Sequence, residues 1–322
     1  MSTIVTFASG KGGVGKSVVL SNAGLALANR GRRVVLADLD VGGSNLATLF
    51  GAFEDGPTLD DFFRRDVETL DEAARPLRRD LRLVVGAGES LATANPTWAM
   101  KQRLLRHLRR VDADVVLVDI GAGAGTHALD FFNAGDLRVI VTLPEPTASV
   151  DAYRFLKLAA IRDAATRVSS RNPNRRSLER SEFSRASDVW NTVALSQGEV
   201  ARDDSSPPMV IVNQSSEARR HFHRLQTVAR RFLENDLELL GDVPRDGAIT
   251  ESVSRYLPVV EADRGSAAAA ALEAIADRLV ERIDEAAAAR IQRDRVAARS
   301  GARDQLPDVG QLDASDARFT TR

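Results

Sequence analysis

The chain has 322 residues, 43% of them hydrophobic and 28% charged, with a net charge of −1 and no cysteine. That is enough apolar material for one large α/β unit with a full core. The missing cysteines exclude structural disulfides and thiolate metal sites. With no charged-then-apolar leader and no run of about eighteen apolar residues, neither export nor a membrane span is expected, which places the chain in the cytoplasm.

In chain order, the apolar stretch Ile4 to Phe7 predicts a strand over 3–8, which runs into a glycine-rich loop and then a helix over 16–29. Further strands are predicted at 33–38, 81–86, 114–119, 137–142, 208–213 and 237–242, with helices at 98–110, 124–134, 147–165, 216–235 and 266–298. Val34 to Leu36 and Val115 to Val118 do not alternate with polar residues, so they read as central strands buried on both faces. The alternation of strand and helix predicts an α/β fold, a mostly parallel twisted sheet of about seven or eight strands with helices on both faces. Ligands of such sheets bind at the carboxyl ends of the strands, where Gly10, Asp38, Asp119 and Asn213 all fall.

The loop Gly10-Lys11-Gly12-Gly13-Val14-Gly15-Lys16-Ser17 has the composition of a phosphate cradle. Glycines let backbone N–H groups converge on phosphate oxygens, Lys16 suits the β and γ phosphates, and the Ser17 hydroxyl suits Mg²⁺. Gly10, Gly12, Gly13, Val14, Gly15, Lys16, Ser17 and Val18 are therefore the candidate nucleotide-binding residues, with ATP and Mg²⁺ as the ligands. Cleaving a phosphoanhydride is mainly positioning and charge neutralisation around an in-line water. Lys11 and Lys16 would neutralise the transferred phosphoryl group, and Asp40 would orient the water. Ser17 would bind the metal directly, with Asp38 and Asp119 acting through its water shell. For a lone aspartate after a strand, a helix cap or a solvated loop charge is the competing explanation; three in register with the phosphate loop favour the catalytic one.

Lys11, the extra lysine near the start of the loop, carries a family resemblance. Residues 11–17 resemble the deviant Walker A loop of the MinD/ParA family of P-loop ATPases, whose first lysine reaches across a dimer interface to the partner's nucleotide. The segment from Ala37 to Leu46 resembles the stretch after the second strand in MinD, and Val115 to Gly123 resembles a Walker B strand with its γ-phosphate sensor, most like the FlhG branch. The resemblance implies an ATP-dependent homodimer. It also implies that Pro144 to Tyr153 faces a partner or effector, that Asn213 reads the adenine base, and that Pro244 packs beside that base. A helix cap is the ordinary alternative for Asn213. The iron–sulfur carrier branch of the family uses paired cysteines, which this chain lacks.

The family pattern breaks at Arg167 to Ser206, a polar stretch read as an insertion. Seven arginines between 162 and 185 make it either a basic surface for acidic lipid, DNA or protein, or a solvated excursion, with the excursion favoured because only Phe183 and Trp190 are available for stacking. A second basic cluster, from Arg219 to Arg224, includes His221 and His223, which point to different sides of a helix and so do not suggest a metal site. Residues 300–322 are polar, carry four aspartates and are expected to form a disordered tail after a single domain over 1–299. Ile291 and Val296 bury too little apolar surface to anchor a monomer to a membrane, so the resemblance gives only weak support for a peripheral position at the inner membrane surface.

Taken together, these residues predict a slow ATP-hydrolysing dimerisation switch, stimulated by a protein effector that the sequence does not identify and controlling the number or placement of a cellular structure such as the flagellum or division site. The alternatives are a DNA-associated partitioning ATPase, favoured if the arginine clusters form one basic face, and a metabolic P-loop enzyme such as an ATP-dependent amide synthase.

Overall fold

A computed structural model of the chain describes residues 1–40, 45–86, 96–168, 183, 185–197, 206–233 and 236–301. Eight strands form one sheet: β1 Thr3–Ala8, β2 Val34–Leu39, β3 Ala74–Arg78, β4 Leu81–Val84, β5 Val115–Ile120, β6 Leu137–Thr142, β7 Met209–Asn213 and β8 Glu238–Val243. Their order is β3-β4-β2-β5-β1-β6-β7-β8, and every pairing except β3 with β4 is parallel. Each position of β1, β2 and β5 is buried, which is why their sequences are unbroken apolar runs. The seven predicted strands are present, several displaced by one residue toward the carboxyl end.

The helices are α1 Lys16–Asn29, α2 Leu46–Leu49, α3 Leu59–Arg64, α4 Leu70–Ala73, α5 Trp98–Leu108, α6 Thr126–Asn133, α7 Pro146–Arg167, α8 Ala186–Gln197, α9 Ala218–Leu233, α10 Gly247–Ser254, α11 Val259–Ala262 and α12 Ala267–Gly301. One face of the sheet packs against α1 and α12, with Val5 and Phe7 of β1 meeting Leu272, Ile275 and Leu279 in a common core. The opposite face packs against α5, α6, α7 and α9, with Ile4 and Ala8 of β1 joining Phe132, Phe155 and Leu225. The alternation along β1 thus assigns successive residues to the two cores.

Besides the short helices α2, α3, α4, α10 and α11, which were not foreseen, two elements depart from the expectations. The edge strand β3, Ala-Arg-Pro-Leu-Arg, was not foreseen; it runs antiparallel, and its pairing shifts register between Pro76 and Arg78. Proline is tolerated there because an edge strand does not need that N–H for the ladder. Within the stretch expected to be a solvated excursion, Ala186–Gln197 instead forms α8, whose Val189 and Val193 are buried with Ala164, Ala165, Val168 and Phe232 in a third, smaller core. Each buried valine contributes about 1.5–3 kcal/mol relative to exposure, enough to dock a short helix. Two of the arginines assigned to a basic surface are held internally: Arg162 pairs with Asp130 at 2.6 Å and Arg167 with Asp163 at 3.1 Å. Arg171, Arg175, Arg176 and Arg180 lie outside the described residues.

At the opposite end of the sheet from the phosphate loop, α12 ties down the N-terminus. Arg290 donates to the carbonyl oxygens of Ser2 and Met1 at 3.0 and 2.6 Å. Beyond it, residues 291–295 of the helix are exposed; of the tail expected at 300–322, residues 300 and 301 belong instead to α12, and 302–322 lie outside the described residues. Among the described residues no helix is long and apolar enough to cross a membrane.

Candidate functional site

The site is assembled where β1, β2 and β5 end. β1 leads into the loop from Ser9 to Gly15, and α1 begins at Lys16 with no acidic residue in its first turn. Its N-terminus therefore presents free N–H groups and the positive end of the helix dipole to an anion. Gly15 caps the helix at φ +82°, a left-handed conformation in which a side chain would also overlap the Asn213 amide. Gly10 is fixed for a different reason, since a Cβ there would overlap the backbone of Asp151 on α7. The loop is thus wedged between α7 and the end of β7.

Pairing of β2 with β5 sets Asp38 opposite Asp119, and pairing of β1 with β5 sets Phe7 beside Asp119. The buried Lys16 ammonium contacts Asp119 Oδ1, and Ser17 Oγ donates to Asp119 Oδ2 at 2.5 Å. Burial pushes the Asp119 carboxyl above its ordinary range, while Lys16 and the Ser17 hydroxyl oppose that rise. Asp40 Oδ2 lies 4.0 Å from the same ammonium. One cation therefore gathers two carboxylates at the foot of the loop.

A cavity of about 360 Å³ opens above these groups, lined by the phosphate loop from Gly12 to Val18 together with Ser9, Asp40, Ala122 and, on its apolar side, Leu49 and Val253. Gly12, Gly13, Val14, Gly15, Lys16, Ser17 and Val18 all border it. Gly10 shapes the loop from behind. The Gly123 N–H donates to the Ser9 carbonyl at 3.0 Å, which ties the segment after β5 to the base of the phosphate loop.

The structure gives three of the predicted residues different surroundings from those expected. Both Asp38 oxygens face backbone N–H groups: Oδ1 accepts from Asp40 at 3.1 Å, and Oδ2 from Asn45 at 3.1 Å and Leu46 at 3.2 Å. Fully buried, Asp38 thus binds the backbone on both sides of residues 41–44, that of Asp40 included. Ser17 and Asp119 remain a fitting pair of hard oxygen donors for Mg²⁺. Asn213 is only 5% exposed; its Nδ2 donates to the Val14 carbonyl at 2.8 Å and its Oδ1 accepts from the Gln214 N–H at 2.9 Å. In this structure it braces the phosphate loop, and neither Asn213 nor Pro244 is among the residues lining the cavity. Lys11 reaches out to Glu145, at the start of α7, in a 2.9 Å ion pair of partly exposed side chains. Its ammonium is held by its own chain.

Sequence reasoning missed Glu145 and Ser9. Glu145 sat inside a segment singled out only as a partner-facing turn, and a serine before the first glycine carries no spacing signal of its own.

Comparison with known proteins fits this geometry. The family model for ParA, described as the NUBPL iron-transfer P-loop NTPase, matches residues 1–168. The antiactivator FleN of Pseudomonas aeruginosa is 28% identical over 86% of this chain and 85% of its own length. The flagellum site-determining protein YlxH of Helicobacter pylori is 34% identical over 48% of this chain, which spans 52% of that relative. Among solved structures, MinD of Pyrococcus horikoshii in complex with Mg-ADP superposes with a TM-score of 0.58 at 21% identity, covering 87% of this chain and 96% of that one. MinD of Aquifex aeolicus gives 0.61 at 20% identity, covering 87% and 97%.

Proposed function

Because the chain belongs to the ParA family of P-loop NTPases and is an ATPase that uses Mg²⁺, we propose that it is an ATP-driven dimerisation switch of the FleN and MinD kind, controlling flagellar number or division-site placement through an effector. The observation that carries the reading is the position of Lys11. Within one chain this lysine is held away from the cavity on Glu145, while the buried Lys16 already serves the cavity floor. A second lysine in a phosphate loop that does not serve its own site is available for a partner's. The similarity to FleN over most of both chains supports the assignment to a flagellar or divisional regulator.

In this scheme α1 and the loop N–H groups bind the phosphates, and Lys16 neutralises charge on the transferred group. Ser17 and Asp119 would hold Mg²⁺, which supplies charge neutralisation when bound with ATP. Asp40 positions the attacking water, and Asp38 fixes the backbone that carries Asp40. Asn213 acts by bracing the loop, with the base on the side where Asn213 and Pro244 stand. Partial neutralisation of phosphate charge by a preorganised site is the main source of rate in such chemistry. The catalytic unit is residues 1–299.

Turnover measured against protein concentration tests the proposal. An enzyme completed by a second copy shows a specific rate that rises with concentration, and Lys11→Ala abolishes the rise while leaving ADP binding intact. A specific rate independent of concentration, unaltered by Lys11→Ala, would instead indicate a monomeric enzyme.

A further inference from the structure

Two nearby buried hydroxyls, that of Ser2 just before β1 and that of Thr6 on it, find partners within the fold. Ser2 Oγ donates to the Val111 carbonyl at 2.8 Å and Thr6 Oγ1 to the Phe132 carbonyl at 3.1 Å. Ser9, one residue beyond the strand, is different. The residue is 1% exposed, and its Oγ is buried with no hydrogen-bond partner. Folded proteins seldom leave such a group unsatisfied without a use for it.

Its position gives that use a chemical identity. Ser9 lines the cavity together with Gly12, Asp40 and Ala122, and its carbonyl is held by the Gly123 N–H at 3.0 Å. Asp40 is the residue assigned to the attacking water, and its carboxylate sits 4.0 Å from the Lys16 ammonium. The residue therefore stands at the end of the cavity where bond breaking is assigned. It continues the alternation that sends Val5 and Phe7 toward the α1 side of the sheet, the side on which the phosphate loop closes.

We propose that Ser9 Oγ is a hydrogen-bond donor to the terminal phosphoryl group of ATP, so that ATP satisfies a buried hydroxyl that ADP leaves without a phosphate partner. Ser9 then contributes to discrimination between the two nucleotides, and hence to the decision to dimerise. This rests on the ATPase reading above. Affinity lost with a missing contact is greatest when the acceptor is charged.

The test is calorimetric titration of the full chain, with Mg²⁺, using a non-hydrolysable ATP analogue and ADP in parallel. Ser9→Ala is expected to weaken the ATP analogue about tenfold, the fold-change of a single hydrogen bond to a charged group, and to leave ADP unchanged. Since the hydroxyl has no partner in the nucleotide-free fold, the melting temperature of nucleotide-free Ser9→Ala is expected not to fall. The hydroxyl-retaining Ser9→Thr is expected to keep the preference for ATP. Equal losses for ATP analogue and ADP, no loss for either, or a Ser9→Thr chain as weak for the analogue as Ser9→Ala would overturn the proposal. Wild-type protein that bound neither nucleotide would overturn the ATPase reading itself.

Discussion

Replacing Lys16 with methionine keeps most of the side chain's length and deletes its charge, so it isolates the buried ion pair at the foot of the phosphate loop. The Lys16 and Asp119 side chains are 6% and 1% exposed, so the carboxylate left behind has almost no access to water. Breaking a buried pair from one side costs about 3–5 kcal/mol, because the remaining charge is uncompensated. Asp119 would still accept the 2.5 Å hydrogen bond from Ser17, which places the expected loss at the lower end, about 3 kcal/mol near neutral pH. Burial already pushes Asp119 up and Lys16 opposes it, so in the variant the carboxyl rises further. The folded variant then keeps a proton that the unfolded chain releases near pH 4. Its stability is therefore full below about pH 4 and falls as pH rises through the raised folded value, so the deficit against wild type is small in acid and greatest at neutral pH. Denaturant unfolding of nucleotide-free protein at about pH 5 and about pH 8 measures both deficits. A deficit of equal size at the two pH values, or none at the higher one, would refute the buried pair.

Asn213→Ala removes the donor to the Val14 carbonyl and is expected to weaken ATP and ADP alike by about fivefold, corresponding to about 1 kcal/mol; titration with both nucleotides checks it, and the shared loss separates a loop brace from the ATP-specific effect expected at Ser9. Asp38→Asn turns an N–H group toward one of the three backbone donors it now accepts from, so hydrolysis should fall by about tenfold or more while ADP affinity is retained, as single-turnover rates and ADP titration would show. Val189→Asp places a charge in the small core beneath α8, and an unpaired buried carboxylate there should destabilise the fold by about 2 kcal/mol or more with nucleotide binding unchanged, measurable by thermal melts and ADP titration.

The central strands and phosphate loop were legible because they are written locally. Val115 to Val118 is a run of residues buried on both faces, and the glycines of 10–15 stand at fixed spacing before a helix. β3 was not legible, since Ala74 to Arg78 carries a proline and two arginines and is a strand only because β4 offers it an edge. The α8 helix was hidden by composition: its neighbours are polar, and Val189 and Val193 have meaning only once Phe232 and Ala164 are in place. At the site, residue identities were readable and their partners were not. The sequence marks Asp38 as an aspartate at the end of a strand, yet its commitment to the N–H groups of Asp40, Asn45 and Leu46 depends on the path of the following loop. Likewise, Asn213 was recognised as a residue of the nucleotide side, but its contact with Val14, 199 positions away in the chain, is a product of the strand order.

Light scattering after gel filtration of the Asp40→Ala chain, with Mg²⁺ and either ATP or ADP, tests the switch most directly, because removing the carboxylate assigned to the attacking water should trap the ATP state. The account predicts a doubling of mass with ATP alone, reversed to the monomer when Lys11→Ala is added. A monomer with both nucleotides would contradict it.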